Sequence, residues 1–371
     1  MALDRILIAG FRNHRNTALE GTARFNLLVG ENGAGKTNVL EALSLLAPGR
    51  GLRRAQLADM AAHGLPAQGL LDQGKVAPFA ISAALITGQA PVQIGTGTLP
   101  DRPGRRVVQI NQAETPAVRL GEWLSIQWLT PAMDRLFTEG AGSRRRFLDR
   151  LVLALEPAHA RNAARAETAL RERNRLLSDP AEPDPAWLDA IEAQLAEAGS
   201  ALAAARASVV ARLAEALEAL PPGPFARPTL AYSPGGPIEP TALVAELKAG
   251  RRRDRAAQRT LIGPHRDDLV VTLAGKDQPA AECSTGEQKA MLIAIVLAHA
   301  SLNGTADARP SLLLLDEVAA HLDPVRRTAL FDRLRHGSAQ VWLTGTELAP
   351  FDAIRQEAAI WTVRDGEALR L

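Results

Sequence analysis

The run Gly30-Glu31-Asn32-Gly33-Ala34-Gly35-Lys36-Thr37 constrains this chain more than any other stretch of it. It fits G-x-x-x-x-G-K-[ST], a glycine turn whose backbone N–H groups converge on phosphate oxygens. Its flanks fit too. Residues 25–29 (Phe-Asn-Leu-Leu-Val) read as a short buried strand, and residues 38–46 read as a helix. Strand, turn and helix in that order aim a helix N-terminus, with its partial positive charge, at the anion. In that setting Lys36 reaches the β- and γ-phosphates and the Thr37 hydroxyl ligates Mg²⁺. An incidental lysine in a glycine-rich turn would lack this context.

A metal-bound triphosphate needs a carboxylate partner. Residues 311–317, Ser-Leu-Leu-Leu-Leu-Asp-Glu, read as a buried parallel strand that ends in charge. Ligands in parallel sheets sit at the carboxyl ends of strands. Asp316 is placed to hold Mg²⁺ and Glu317 to polarise an attacking water, as in phosphoryl-transfer sites. Alone, the segment would equally suit a core strand followed by a helix-capping acid.

The chain has 371 residues, long for one domain, so two or three units are expected. Its formal net charge of +2 gives no global field for nucleic acid, so any DNA binding must come from local patches. Cys283 is the only cysteine, which excludes a disulfide framework and suits a reducing cytoplasm. The start, Met-Ala-Leu-Asp-Arg-Ile, lacks the pattern of a signal peptide. No apolar run approaches the ~20 residues that span a bilayer, so no membrane partner is expected.

Residues 3–8 read as a strand and 10–15 as a polar turn, with Arg12 a candidate nucleotide contact because guanidinium both stacks and forks. A second strand over 23–29 feeds the glycine turn. An arginine-bearing loop covers 48–54, and a helix is expected near 56–63. Alternation over 79–87, 92–99 and 105–111 predicts antiparallel strands. Residues 124–129 form a further strand, with Gln127 placed to reach toward the metal. From about 131 the composition turns to Ala, Leu, Glu and Arg. Helices are expected from about 147 and over 160–177. Asp184-Pro185 starts another, an N-cap acid with proline at the first helical position. It runs to about 220, roughly 50 Å at 1.5 Å per residue. Two long alanine-rich helices joined by the Pro-rich tip 179–185 form an antiparallel arm. A strand over 225–232, a helix over 240–250, a strand over 269–276 and an apolar helix over 290–302 follow. Beyond residue 323 the reading is a helix to about 335 and a buried strand over 340–346. The organisation is 1–130 as the N-terminal half of an ATPase head, 131–259 as an α-helical arm and 260–371 as the C-terminal half.

Ser284-Thr285-Gly286-Glu287-Gln288 opens the helix before 302, a second anion site by the physics of the first. One nucleotide seldom needs two γ-phosphate sites in one chain. The natural solution is a head-to-tail pair, with Ser284 of one copy capping the nucleotide held by Lys36 of the other. The stretch resembles the ABC ATPase signature motif. Asp316-Glu317 resembles its Walker B pair, and His321-Leu322-Asp323 its D-loop. Within that superfamily the chain resembles the RecF family, relatives of SMC heads. The residues that carry this are Phe11-Arg12-Asn13-His14, the phosphate loop with residues 37–42, Gly49-Arg50, residues 144–149 (Arg-Arg-Arg-Phe-Leu-Asp) and residues 263–269 (Gly-Pro-His-Arg-Asp-Asp-Leu). Many members have Gln-Gln where Glu287-Gln288 stand and a second Asp where Glu317 stands. Both departures move toward the general ABC pattern.

The resemblance implies an α/β head of mixed sheets with a helical arm inserted between its halves. It implies weak, DNA-stimulated ATP hydrolysis with Mg²⁺ and an ATP-dependent homodimer. It also implies binding to double-stranded DNA near single-strand gaps and cooperation with a RecR-like mediator in loading recombinase. ATP would contact Arg12 and residues 30–37 (Gly30, Glu31, Asn32, Gly33, Ala34, Gly35, Lys36, Thr37), with Ser284, Gly286, Glu287, Gln288 and Asp323 acting from the other copy. Arg50, Arg53, Arg54, Arg144, Arg145, Arg146, Arg251, Arg252 and Arg253 are candidate DNA-phosphate contacts, which position without reading sequence. The competing reading pairs Arg144–Arg146 with carboxylates such as Asp149 on their own helix. Aromatics are not interleaved with basic residues, which disfavours single-strand stacking. His265 with Asp267 and Asp268 resembles a metal set, yet adjacent acids point apart and no second histidine has ligand spacing. A soluble ABC-type ATPase subunit that ignores DNA is the alternative, but a roughly 130-residue helical insert is foreign to such a compact domain. A non-catalytic scaffold would not need Glu317. A nuclease-linked ATPase would need a further acidic metal cluster.

Overall fold

The computed structural model describes residues 2–62, 78–87, 90–220, 223–302 and 309–371. By compactness the chain divides into two units, Met1–Met133 with Ala300–Leu371, and Asp134–His299. The second interrupts the first in sequence. No helix among the described residues is long and apolar enough to cross a membrane.

The first unit contains a six-stranded sheet in the order Glu367–Arg370, Ala358–Arg364, Phe25–Val29, Gln340–Gly345, Ser311–Leu315, Ser125–Leu129. All strands but the edge hairpin strand Glu367–Arg370 run parallel. Strands Phe25–Val29, Gln340–Gly345 and Ser311–Leu315 are buried at every residue. That double burial makes them read as largely apolar runs. Trp342 and Trp361 stack across the sheet with centroids 5.6 Å apart. The helix Lys36–Ser44 follows the glycine turn and buries Val39, Leu40 and Leu43.

An antiparallel sheet completes this unit, in the order His14–Leu19, Leu3–Phe11, Ala80–Leu85, Val92–Leu99, Arg102–Ile110, Ala113–Glu114. Here the structure corrects the reading of 10–15 as a turn. Strand Leu3–Phe11 runs through Phe11, only Arg12 and Asn13 turn, and His14 pairs back onto Phe11. The helix expected near 56–63 is confined to Leu57–Met60, and His63 lies outside the described residues. The hairpin of Ala358–Arg364 and Glu367–Arg370 was not foreseen.

In the second unit, helices Ala141–Leu155, Ala158–Ser178 and Pro185–Ala219 dominate. The Asp184-Pro185 start is confirmed to the residue, since the Asp184 carboxylate accepts the Ala186 N–H at 2.8 Å. Small and branched side chains such as Ala166, Ala169, Leu195 and Ala198 let the two long helices pack closely. A three-stranded antiparallel sheet, Gln278–Pro279, Asp268–Leu273 and Pro228–Ser233, packs beside them. Residues 260–299, grouped by the sequence reading with the C-terminal half of the head, fall in this unit by compactness.

Candidate functional site

The glycine turn leaves strand Phe25–Val29 at its carboxyl end. A side chain at Gly30 would collide with the Val363 carbonyl oxygen. Gly35 has φ +116°, and a Cβ there would stand 2.8 Å from Asn13 and His14. Only glycine suits both positions. Glu31, Asn32 and Gly33 are exposed, so the loop backbone faces solvent. Lys36 is only 4% exposed, and its Nζ donates to Gly30 O at 2.6 Å and Glu31 O at 2.8 Å. Burial lowers its pKa, opposed by the charges of Glu317 and Asp316. The ammonium therefore rests on the loop's own carbonyls, where anionic oxygens can replace them.

Asp316 follows strand Ser311–Leu315 and is 5% exposed. Thr37 Oγ1 lies 2.9 and 3.1 Å from its two carboxylate oxygens, and Thr344 Oγ1 donates to Oδ1 at 2.8 Å. Burial raises the Asp316 pKa, while the bonds from Thr344 and Thr37 lower it and the Glu317 charge adds to the rise. Glu317 has φ +55°, and its N–H donates to Thr344 Oγ1 at 2.9 Å. The structure thus brings Lys36, Thr37, Asp316 and Glu317 together at the carboxyl ends of two strands of one sheet, with Gln340–Gly345 between them. Gln127 is buried in strand Ser125–Leu129, in register with Leu313.

The loop is braced from the antiparallel sheet. Asn13 Nδ2 donates to Ala34 O at 3.0 Å, and His14 Nε2 lies 3.0 Å from Gly35 O. Burial lowers the His14 pKa, partly opposed by its backbone hydrogen bonds to Gly35 and Gly366. Arg12 forks onto Glu41, with Nε at 2.9 Å and Nη2 at 2.7 Å, and Arg53 Nη1 reaches the same carboxylate at 2.7 Å. Glu41 lies fully buried on the phosphate-loop helix. Arg12, expected against nucleotide, is thus anchored to the phosphate-loop helix through Glu41. Arg106, which the sequence did not single out, clamps the arginine loop through Leu45 O, Ala47 O and Gly49 O. Burial pushes its pKa down to about 10.

At the second helix start, Ser284, Thr285 and Gly286 are exposed. Ser284 and Glu287 form a reciprocal capping box. Ser284 N–H and Oγ donate to Glu287 Oε2 at 3.0 and 2.9 Å, and Glu287 N–H returns to Ser284 Oγ at 3.3 Å. Lys276 donates to the other Glu287 oxygen at 2.9 Å. The bonds from Lys276 and Ser284 hold the Glu287 carboxyl down at about 2. Gln288 is buried with Nε2 on Cys283 O at 2.8 Å, so it shapes this turn from inside. Asp323 caps helix Pro324–His336 through Arg326 N–H at 2.9 Å.

The arginines sort by partner. Arg144, expected to face DNA, forks onto Asp268 at 2.9 and 2.7 Å, and Arg145 donates to Asp267 O at 2.7 Å. Their competing assignment to Asp149 is corrected too, because Asp149 accepts from Arg206 at 2.8 and 3.0 Å and faces His159 at 2.8 Å. Asp267 binds Arg206 at 2.7 Å, the Gly235 N–H at 2.8 Å and the Tyr232 hydroxyl. The segment 263–269 is therefore a hub that ties helices and sheet of this unit together. Arg251 is held by Glu192 and Asp189. Arg50, Arg54, Arg146, Arg252 and Arg253 are exposed.

Residues 2–367 match the family described as RecF/RecN/SMC N terminal domain. The DNA replication and repair protein RecF of Mesorhizobium japonicum is 47% identical, covering 98% of this chain and 96% of the relative. That of Brucella abortus is 46% identical, covering 99% and 96%. A structure of the recombination mediator protein RecF with ATP superposes with a TM-score of 0.81 at 21% identity, covering 100% of this chain and 99% of the other. The Smc head domain of Pyrococcus furiosus gives 0.52 at 16% identity, covering 100% and 96%. The chain belongs to the RecF family, with the SMC-type head fold and an inserted helical arm.

Proposed function

We propose that this chain is an ATP-dependent DNA-binding recombination mediator of the RecF type. The observation that carries the reading is the convergence of Lys36, Thr37 and Asp316, with Thr37 Oγ1 2.9 Å from Asp316. A buried carboxylate beside a hydroxyl, its pKa raised chiefly by burial, is a donor set that suits Mg²⁺. Thr37 and Asp316 would hold the ion, with Gln127 a further candidate. Bound there, Mg²⁺ would supply neutralisation of the phosphate charge. Residues 30–37 cradle the triphosphate with backbone N–H groups, Lys36 leaves its carbonyls for phosphate oxygens, and Arg12 stands beside the nucleotide. Glu317 takes a proton from the attacking water. Ser284 and Gly286, with Glu287, Gln288 and Asp323 around their turns, serve a nucleotide bound to a second copy. That requires Ser284 Oγ to exchange Glu287 for phosphate.

In this reading the ATP-bound dimer holds duplex DNA near single-strand gaps, cooperates with a RecR-like mediator in recombinase loading, and opens on weak, DNA-stimulated hydrolysis. The names of the relatives support a role in DNA replication and repair. Arg50, Arg54, Arg146, Arg252 and Arg253 are the proposed phosphate contacts. Arg53, Arg144, Arg145 and Arg251 are withdrawn because carboxylates and carbonyls within the fold occupy them.

Sedimentation with and without ATP and gapped duplex tests the whole reading. The parent chain is expected to dimerise only with ATP and to bind DNA as the dimer. Ser284→Arg is expected to keep monomer ATP binding and lose dimerisation. A variant that still dimerises would overturn the shared site, and ATPase activity indifferent to DNA would favour a DNA-independent ABC-type ATPase.

A further inference from the structure

We infer that Thr344 is the positioning residue of the acid pair, holding Asp316 and Glu317 in their working orientations through one hydroxyl. This deepens the proposed ATPase reading and rests on it. Strand Gln340–Gly345 lies between the strand of the glycine turn and the strand of the acids. Its parallel ladder with Ser311–Leu315 ends at the pair Leu315–Leu343. One residue further, side chain replaces backbone. Thr344 Oγ1 donates to Asp316 Oδ1 at 2.8 Å and accepts the Glu317 N–H at 2.9 Å. The hydroxyl makes both bonds while only 1% exposed, so no water competes for it.

Each bond has a separate consequence. Glu317 has φ +55°, a left-handed conformation that non-glycine residues with a Cβ adopt rarely. The bond from its N–H to Thr344 holds that turn and so sets where the Glu317 side chain leaves the strand end. Asp316 receives two hydroxyls, but Thr37 is the one the proposed metal would engage. Thr344 is then the group left to fix the carboxylate plane. Valine has the shape of threonine and neither hydrogen-bonding function; serine has both.

The test compares Thr344→Val and Thr344→Ser with the parent chain, using ATP with and without Mg²⁺. For the valine variant, metal-free ATP affinity is expected to stay within about twofold, because the phosphate loop is untouched. The Mg²⁺ concentration for half-maximal tightening of ATP binding should rise, and kcat should fall, each roughly 10- to 100-fold, the effect of leaving a buried charged acceptor short of a donor. The serine variant should recover both to within about threefold. A role confined to packing predicts instead that serine, lacking the methyl, is as impaired as valine or worse. That result, or a valine variant with parental Mg²⁺ dependence and kcat, overturns the inference. Should the valine variant not fold, Thr344→Ala gives the same reading without adding bulk. A parent chain without Mg²⁺-dependent ATP binding would overturn the proposed function itself, before any variant is compared.

Discussion

Two acid clusters, one from each unit, are completed by opposite means. Asp267 and Asp268 receive guanidinium groups, from Arg206 at 2.7 Å and from Arg144 at 2.9 and 2.7 Å. Asp149 shares Arg206 at 2.8 and 3.0 Å. Asp316 receives the hydroxyls of Thr37 and Thr344. Titration follows the partners. Burial pushes both Asp149 and Asp316 up. At Asp149 the hydrogen bond from His159 and the charge and hydrogen bonds of Arg206 outweigh it, and the pKa ends lowered. At Asp316 the hydroxyls do not, and it ends raised. An acid cluster supplied with its cations by the chain is a finished structural joint. One supplied only with neutral donors suits the proposed role of holding a cation that arrives with the ligand.

The widest separation between the clusters should come from Glu317→Gln. Hydrolysis is expected to fall by about 10²–10⁴-fold, the usual loss of a general base. Folding stability should stay within about 0.5 kcal/mol, since the amide keeps the size and shape of the carboxylate. Single-turnover hydrolysis beside a denaturant melt checks both. Parental hydrolysis would move the base to another group near Asp316. If chemistry limits dimer opening, the dimer's lifetime on duplex DNA should lengthen in proportion.

The mirror experiment is Arg206→Met, which fills space but strands Asp149 and Asp267. Breaking a buried pair from one side costs about 3–5 kcal/mol. The denaturation midpoint should drop accordingly, and a loss below about 1 kcal/mol would mean that the network is not the joint described.

These clusters also mark where the sequence was legible. Both acid pairs are adjacent residues flanking strands, and local reading found each. What it lacked was the partner. Arg206 lies inside a 35-residue helix with no local signal, 57 residues from Asp149 and 61 from Asp267. Thr344 stands 28 residues beyond Asp316, and only the parallel ladder brings them together. By contrast, the carboxyl end of strand Phe25–Val29 and the Asp184-Pro185 helix start depend on neighbours in sequence and were read to the residue. Strand His14–Leu19 was missed because its buried positions include His14 and Thr17. They are polar because they bond Gly35 O and Gly366 O, so bracing the site erased the apolar alternation that announces a strand. The closing hairpin did carry a signal, Asp365-Gly366, with φ +49° and +79°.

A third contrast sets surface arginines against joint arginines. Replacing Arg252 or Arg253 by Ala should flatten the dependence of log K on log salt by about 0.9 for each phosphate no longer neutralised, with DNA binding nearly blind to sequence. Arg144→Ala should instead lower stability and leave the slope unchanged. A salt-independent affinity, or an Arg144 variant that flattens the slope, would contradict this sorting.

The smallest effect is the sharpest test of the comparison, because its sign differs between the clusters. A carboxyl whose pKa is higher in the folded chain than in the unfolded chain adds stability below the unfolded pKa and loses it as pH rises through the folded one. Asp316 is such a group. Without metal at pH 7 its ionised form therefore weighs against folding, and Asp316→Asn should be the more stable chain. The amide fits because Thr37 and Thr344 hydroxyls can rotate to accept as well as donate. The difference should shrink as pH falls through the raised pKa. Asp149 has the opposite sign. Its lowered pKa adds stability above the unfolded value and loses it as pH falls through the folded one. Asp149→Asn should therefore be the less stable chain at pH 7, and should stay so until the pH drops below the ordinary carboxylate range. Mg²⁺ with ATP separates the pair again. Saturation at 100 times Kd would raise parental stability by about 2.7 kcal/mol, a gain that the Asp316 variant should largely forgo and the Asp149 variant keep. Thermal melts of the three chains at pH 7 and pH 5, with and without Mg²⁺ and ATP, measure all of this. An Asp316→Asn chain less stable than the parent at pH 7 without metal would show that Asp316 is already charge-matched in the free protein, and the distinction between the two clusters would fall with it.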